Sequence, residues 1–548
     1  MGITSIGSVP LASAGFGGPL IAQWVDDFPR VRAFFRRDPR LAADWTSLFE
    51  ELAAHPYPRA ELAEVLVRSA AAMHAPAAVL AQAAAFRAPN TLAVITGQQP
   101  GLFGGPLYNL YKALTAIKWA RELAKKFGST WNFVPVFWVA SDDHDLGEID
   151  HAYFLDAGSK LRLLRTELGE TARGAAAADV SAREGLEALR KALAEVLPAA
   201  APDLLAPYFT ANLGAAFARL LTRWLGPLGL VVVEAPAIRP FGRSHFAREL
   251  EEYPKTCGLL RASARALQTA GYEPEFSEAK DSPHLFLTAH GIRARLEPAP
   301  DSGGAAFVER SAAFHSRGLE PATHARTALQ ALLTAHPERF SASAAFRPVL
   351  QNLTFPVAAA VLGPGELAYW AQLAGIHDHF GAVWPMLVPR LSATLLDAPA
   401  QKDLRKLGAS VEDLFLPRED LKRKLLSGGD ADAVLEAGSA SILAELGKLF
   451  DRIRELDRGL DPLFEKARER IAHELDRIAE KTKASLAQKD GAGLARLEHL
   501  ASLARPKGKP QERILSTAQF LARHPNLAGE LLDALDPLDF RHQVWRVE

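Results

Sequence analysis

Two short apolar runs bracket a glycine-rich turn and one amphipathic helix, and that order constrains the fold more than any other feature of the chain. Residues 91–96 (T-L-A-V-I-T) end at Gly97, and a Gly/Pro-rich loop follows. From Pro106, read as the first helical position, the spacing turns helical. Leu107, Leu110, Tyr111, Leu114 and Ile117 share one face, and Gly128 is the stop. Residues 133–140 (F-V-P-V-F-W-V-A) are then apolar throughout. A strand without polar alternation is what a parallel sheet covered on both faces requires. The segment therefore predicts strand, turn, helix, strand, a βαβ unit. Pro135 argues against a central strand unless it sits in the first turn of the strand.

Similar runs recur at 229–234, 355–362 and 383–388, too far apart for simple crossovers. They predict one α/β, Rossmann-like parallel-sheet core interrupted by insertions, with a strand and helices over 156–228 and a hairpin over 285–297 turning at His290–Gly291. The expected division is a mostly helical segment over 1–90, the first part of the core over 91–240 and an insertion over 241–340. The second part of the core follows over 341–400, and a helical domain with a tail over 401–548. In that domain Leu446, Leu449, Ile453, Leu456, Leu460, Leu463 and Ala467 are spaced 3, 4, 3, 4, 3, 4, a heptad seam. Pro462 is expected to bend this helix. A returning helix carrying Leu494, Leu497, Leu500 and Leu503 is expected after a break at 490–493. A coiled-coil hairpin that forms a homodimer is the expectation.

The balance of charge narrows the function. The chain has 63 Lys+Arg against 64 Asp+Glu, a net charge of −1, so bulk charge does not hold it to nucleic acid or an anionic membrane. A single cysteine, Cys257, excludes an intrachain disulfide and a Cys-cluster zinc site, and reads as a small apolar filler. The first 25 residues are uncharged but lack a basic start and are broken by Gly and Pro, which argues against a signal peptide. No apolar run approaches the roughly 20 residues of a membrane helix. A cytoplasmic protein is expected.

Three blocks could carry chemistry. In T-G-Q-Q-P-G-L-F-G-G-P (96–106), Gly101, Gly104 and Gly105 allow close backbone approach. Gln98 and Gln99 can donate and accept hydrogen bonds, and the following helix start favours an anion, with Tyr108 and Lys112 beside it. In S-D-D-H-D (141–145), Asp142, Asp143 and Asp145 surround His144 at a strand end. Like charges so placed raise one another's pKa unless a cation sits among them. No metal is assigned there. In G-P-G-E-L-A-Y-W (363–370), Glu366 and Tyr369 follow another strand end. Arg347 and Gln351 precede that strand, and Arg390 closes the next one as a candidate two-pronged carboxylate clamp. His377-Asp-His379 reads as loop, and the basic run 506–513, with Lys507, Lys509 and Arg513, reads as a solvated interhelical turn.

T-G-Q-Q-P-G-L-F-G-G-P-L-Y (96–108), V-P-V-F-W-V-A-S-D-D-H-D (134–145) and G-P-G-E-L-A-Y-W-A-Q-L (363–373) resemble the bacillithiol-biosynthesis cysteine-adding enzymes, the BshC family. P-Q-E-R (510–513) and L-D-P-L-D-F-R-H-Q-V (535–544) agree with that family's ending. The resemblance implies a ligase joining L-cysteine to the amine of malyl-glucosamine, the last step of bacillithiol synthesis. It also implies a Rossmann-type core with connecting-peptide insertions and a dimerising coiled-coil domain. The core is similar to class I aminoacyl-tRNA synthetases, although their His-x-Gly-His and Lys-Met-Ser-Lys signatures are absent, and ATP with Mg2+ is the candidate activating cosubstrate. On this reading Asp142, Asp143 and Asp145 hold the cysteine ammonium and His144 takes the proton of the attacking amine. The N–H groups near Gly104–Gly105, with Lys112, hold phosphate or malyl carboxylates. Arg347 and Arg390 are alternative clamps. Two other readings stay open: a nucleotidylyl-transferase-like enzyme, and a non-catalytic nucleotide-binding coiled-coil scaffold.

Overall fold

Five parallel strands form the centre of the molecule, and each coincides with one of the apolar runs. The computed structural model describes residues 2–276, 281–426, 429–489 and 491–548. The chain enters the sheet at β1 (Thr91–Gln98), returns through helix α1 (Tyr108–Phe127) to β2 (Asn132–Val139), and reaches β3 (Val231–Glu234) after the first insertion. Helix α2 (Arg243–Thr269) leads into a second insertion, after which α3 (Arg347–Thr354), β4 (Val357–Leu362), α4 (Pro364–Trp370) and β5 (Met386–Pro389) complete the core. The spatial order is β5-β4-β1-β2-β3. Successive crossovers thus run one way from β1 to β3 and the other way from β1 to β5. The gap between β1 and β4 is the topological switch point, where sheets of this kind bind ligands beyond the carboxyl ends of their strands.

Pro135 does lie in an interior strand. It is level with Val94 of β1, but pairing with β3 begins only at Val136, so one flank of the ring has no strand to disappoint. The second insertion carries the foreseen hairpin, Leu285–Ala289 with Ile292–Pro298. His290 and Gly291 adopt φ of 51° and 71°, the left-handed pair that a two-residue turn needs. This hairpin belongs to a five-stranded antiparallel sheet.

The two ends of the chain meet. Strand His542–Val547 lies between Ile3–Val9, antiparallel, and Ser392–Leu396, parallel. Nothing local in the sequence announces this pairing.

The C-terminal helices differ from the expected register. Helix α5 (Gly429–Arg454) and helix α6 (Asp461–Lys489) pack as a hairpin, with Phe450 and Phe464 stacked at 4.5 Å between centroids, and α7 (Gly491–Ala504) follows. The chain reverses between Arg454 and Asp461, inside the expected seam, Gly491–Gly493 are helical, and Pro462 opens a helix rather than bending one. The heptad run crosses this reversal, so it is no single seam: Leu456 sits in the turn, 86% exposed. Position 490 lies outside the described residues. His377-Asp-His379 is helical, within Ala374–Phe380, and buries His377 completely. Among the described residues no helix is long and apolar enough to cross a membrane.

Candidate functional site

Two cavities lie over the carboxyl edge of the sheet, and the side chains singled out in the sequence divide between them. The first, about 550 Å3, opens at the switch point. Gln98 and Gln99 come from the end of β1, Gly101 and Gly105 from the loop, Tyr108 and Lys112 from α1, Glu366 from α4, and Arg390 from just past β5. The second, about 600 Å3, lies beyond β2 and β3 and contains Asp142, Asp143, His144 and Arg347. Gln99 joins them: its amide nitrogen donates to Asp143 Oδ2 at 2.6 Å and to Glu148 Oε2 at 2.9 Å. This hydrogen bond thus links the lining of the first cavity to that of the second.

The loop does its work differently from the expectation. Gly105 donates to the Leu102 carbonyl and Leu107 to that of Leu515, while Thr517 donates to the Gly105 carbonyl. The helix starts at Tyr108, two residues after Pro106. The Gly105 N–H is therefore already satisfied by protein and is not available to phosphate. Gly104 (φ 83°) faces away from the cavity, where a Cβ would lie 2.5 Å from the Trp224 ring; its glycine is demanded by packing and backbone together.

Lys112 is a buried cation of the first cavity, 1% exposed at its side chain. Its Nζ donates to the Gly97 carbonyl at 2.5 Å, to Gln98 Oε1 at 2.8 Å and to Glu366 Oε2 at 2.5 Å. Burial pulls this amine down to about 8, against the opposing pull of Glu366. Glu366 also accepts from the Gly363 N–H at 2.7 Å, so it caps α4 and pairs with Lys112 at once. Burial raises the Tyr108 phenol to about 12. Arg390 is tied to Glu512 at 2.6 Å in an ion pair of which both side chains are buried, so its guanidinium fixes the wall rather than standing free as a clamp. The basic run 506–513 is the expected exposed turn between helices, and its Lys507, Lys509 and Arg513 also line this cavity, with Lys507 donating to the Tyr153 hydroxyl at 2.8 Å.

In the second cavity the cation expected among the carboxylates is arginine. Arg239 holds Asp142, Nε to Oδ1 at 2.8 Å, so Asp142 is already neutralised by protein. Burial alone would raise the Asp143 carboxyl. Hydrogen bonds from Gln99 and the Asp145 N–H, with the Arg293 guanidinium nearby, outweigh it and keep the carboxylate below its ordinary range. Asp145 is exposed and lines a groove on the far side of His144. Burial and Arg293 lower the His144 imidazole, although Asp143 and Asp145 pull the other way. Arg347 donates to Gln351 Oε1 at 3.1 Å and reaches the Tyr369 hydroxyl at 3.5 Å. Gln351 and Tyr369 thus orient Arg347 from behind and do not line either cavity. Among the described residues no group of three or more His, Cys, Asp and Glu side chains is arranged to hold a metal ion.

Sequence reading missed Arg239, Arg293 and Arg295. The last two alternate on the inner strand of the hairpin, I-R-A-R, with the Arg293 side chain almost wholly buried and Arg295 half-buried. They alternate with Ile292, Ala294 and Leu296, which are fully buried, so in sequence they read as the ordinary polar face of a strand and gave no signal.

Comparison with known proteins agrees with this architecture. The family described as "Bacillithiol biosynthesis BshC, N-terminal Rossmann-like domain" matches residues 6–391, and "Bacillithiol biosynthesis BshC, C-terminal coiled-coil domain" matches 393–547. Among curated relatives, a protein of Geobacillus kaustophilus is 29% identical over 89% of this chain and 90% of its own length. One of Salinibacter ruber is 29% identical over 98% and 97%, and one of Symbiobacterium thermophilum 28% identical over 98% of each. All three carry the name "Putative cysteine ligase BshC". With matches running along both the sheet core and the helical tail, the chain belongs to the BshC family.

Proposed function

We propose that the protein is a ligase that joins the carboxyl group of L-cysteine to the amine of malyl-glucosamine, forming a C–N amide bond. The observation that carries this reading is the pair of cavities linked by the Gln99–Asp143 hydrogen bond, because a joining reaction must hold two substrates with their reactive ends together. The names of the relatives support a cysteine ligase.

The chemistry of each lining suggests how the substrates divide. Lys507, Lys509 and Arg513 give the first cavity a cationic rim, which fits the phosphate oxygens of ATP as activating cosubstrate with Mg2+. Bound there, ATP would supply the leaving group that a free carboxylate lacks. In the second cavity Arg295 and Arg347 have no carboxylate partner among the described residues, which suits substrate carboxylates, and Asp143 suits the cysteine ammonium. The helical hairpin presents Ile442, Leu449 and Leu463 at 49%, 52% and 61% exposure, and these apolar side chains support a homodimer.

The test is incubation of the purified protein with cysteine and malyl-glucosamine, with and without Mg-ATP, followed by mass spectrometry. Joined thiol that forms only with ATP supports the ligase. Pyrophosphate release without a thiol product would favour a nucleotidylyl transfer instead.

A further inference from the structure

Arg293 is 6% exposed, and its guanidinium makes three contacts in which it can only donate. Nε donates to Ser341 Oγ at 2.9 Å, Nη2 to the Ala342 carbonyl at 2.9 Å, and Nη1 to His144 Nδ1 at 3.1 Å. A guanidinium has five N–H groups and no lone pair to offer, so the ring nitrogen it faces must be the acceptor. His144 is thereby fixed as the neutral tautomer with its proton on Nε2. Protonating Nδ1 would set one N–H against another beside a full positive charge.

The surroundings hold this arrangement in place. Phe286 packs against both partners, with the guanidinium 3.7 Å from the ring centroid and the imidazole centroid 5.6 Å away. Asp143 Oδ1 lies 3.8 Å from Nδ1, beyond hydrogen-bond reach, and is engaged by the Asp145 N–H.

A general base needs a free lone pair, and the one on this ring is already held by Arg293. We infer that His144 serves as a neutral hydrogen-bond donor, through Nε2–H, to the oxygen of the activated acyl group, and that Arg293 is the positioning residue that sets its tautomer. This role rests on the ligase reading and replaces the proton abstraction expected from sequence. In the step, the lone pair of the amine forms the C–N bond and the carbonyl π pair moves onto oxygen, where Nε2–H meets the developing charge. When that pair returns, the bond from carbon to the phosphate oxygen of the acyl phosphoric anhydride breaks. The departing phosphate oxygen keeps the bonding pair and takes up the proton of the nitrogen. The imidazole neither gains nor loses a proton.

Two measurements test this separately. In the full chain labelled with 15N-histidine, the His144 signals, identified by their absence from His144→Gln, are expected to show Nδ1 unprotonated and Nε2 protonated. The reverse pattern would overturn the assignment whether or not the protein turns over. Arg293→Met is expected to release the preference, and Arg293→Lys to restore it. In the ligase assay His144→Gln, which keeps an N–H donor near the Nε2 position but cannot act as a base, is expected to remain within about 10-fold of wild type. His144→Ala is expected to lose about 100-fold or more. His144→Gln as inactive as His144→Ala would refute the donor role. No joined product from the wild-type chain would refute the ligase reading together with the donor role, while the nitrogen signals still decide the tautomer.

Discussion

His377 shows how a buried ring adds to the acid sensitivity of the molecule. Its Nδ1 faces the Leu373 carbonyl at 2.9 Å and its Nε2 the Asn352 amide at 3.0 Å, so it is held neutral, and burial pulls its pKa down to about 4. The folded pKa lies below the unfolded 6.5. Between those values the unfolded chain binds more protons, and stability falls as pH falls through that window. The full effect of one such group is about 3 kcal/mol. Urea denaturation at pH 7 and pH 4.5 should show a smaller loss on acidification for His377→Gln than for wild type, whatever the offset at pH 7. Equal losses would mean that the ring takes up its proton in the fold. His284 and His542, brought by burial to about 4 and about 3, add to the same acid sensitivity.

Among the elements, the five core strands were legible because a parallel sheet buried on both faces leaves an unmistakable apolar run. The His290–Gly291 turn was legible because its geometry restricts which residues can occupy it. The helical hairpin was read in the wrong register, since a 3-4 spacing persisted by composition through residues that fold as a turn. Ile442, Leu449 and Leu463 are nevertheless exposed on the hairpin, and these are the side chains that the proposed homodimer would cover. Replacing both Leu449 and Leu463 with Glu is expected to convert a dimer to a monomer in sedimentation without loss of helical circular dichroism. An unchanged sedimentation coefficient would place the interface elsewhere.

For the whole molecule, the candidate site depends on segments hundreds of residues apart. Gln99 and Asp143, 44 residues apart, follow adjacent strands of one βαβ unit, so that unit alone brings them together. Arg390 with Glu512, or Lys507 with Tyr153, could not be paired in that way. Glu512, fully buried, accepts from Arg390 and from the Ala393 N–H at 2.9 Å, with Ser392 Oγ 3.2 Å away, and so ties the C-terminal segment to the sheet. Leaving a buried guanidinium without its carboxylate costs about 3–5 kcal/mol. Glu512→Gln should lower the denaturation free energy by about that amount, and a loss below about 1 kcal/mol would show that the joint is held by packing.

The division of substrates between the two cavities is the central claim, and steady-state kinetics of two variants tests it most directly. Arg513→Gln, on the rim of the first cavity, should raise KM for ATP and leave KM for cysteine and malyl-glucosamine unchanged. Arg347→Gln, in the second, should raise KM for a carboxylate substrate and leave that for ATP unchanged. If both variants shift the same KM, the two cavities do not divide the substrates and the account fails.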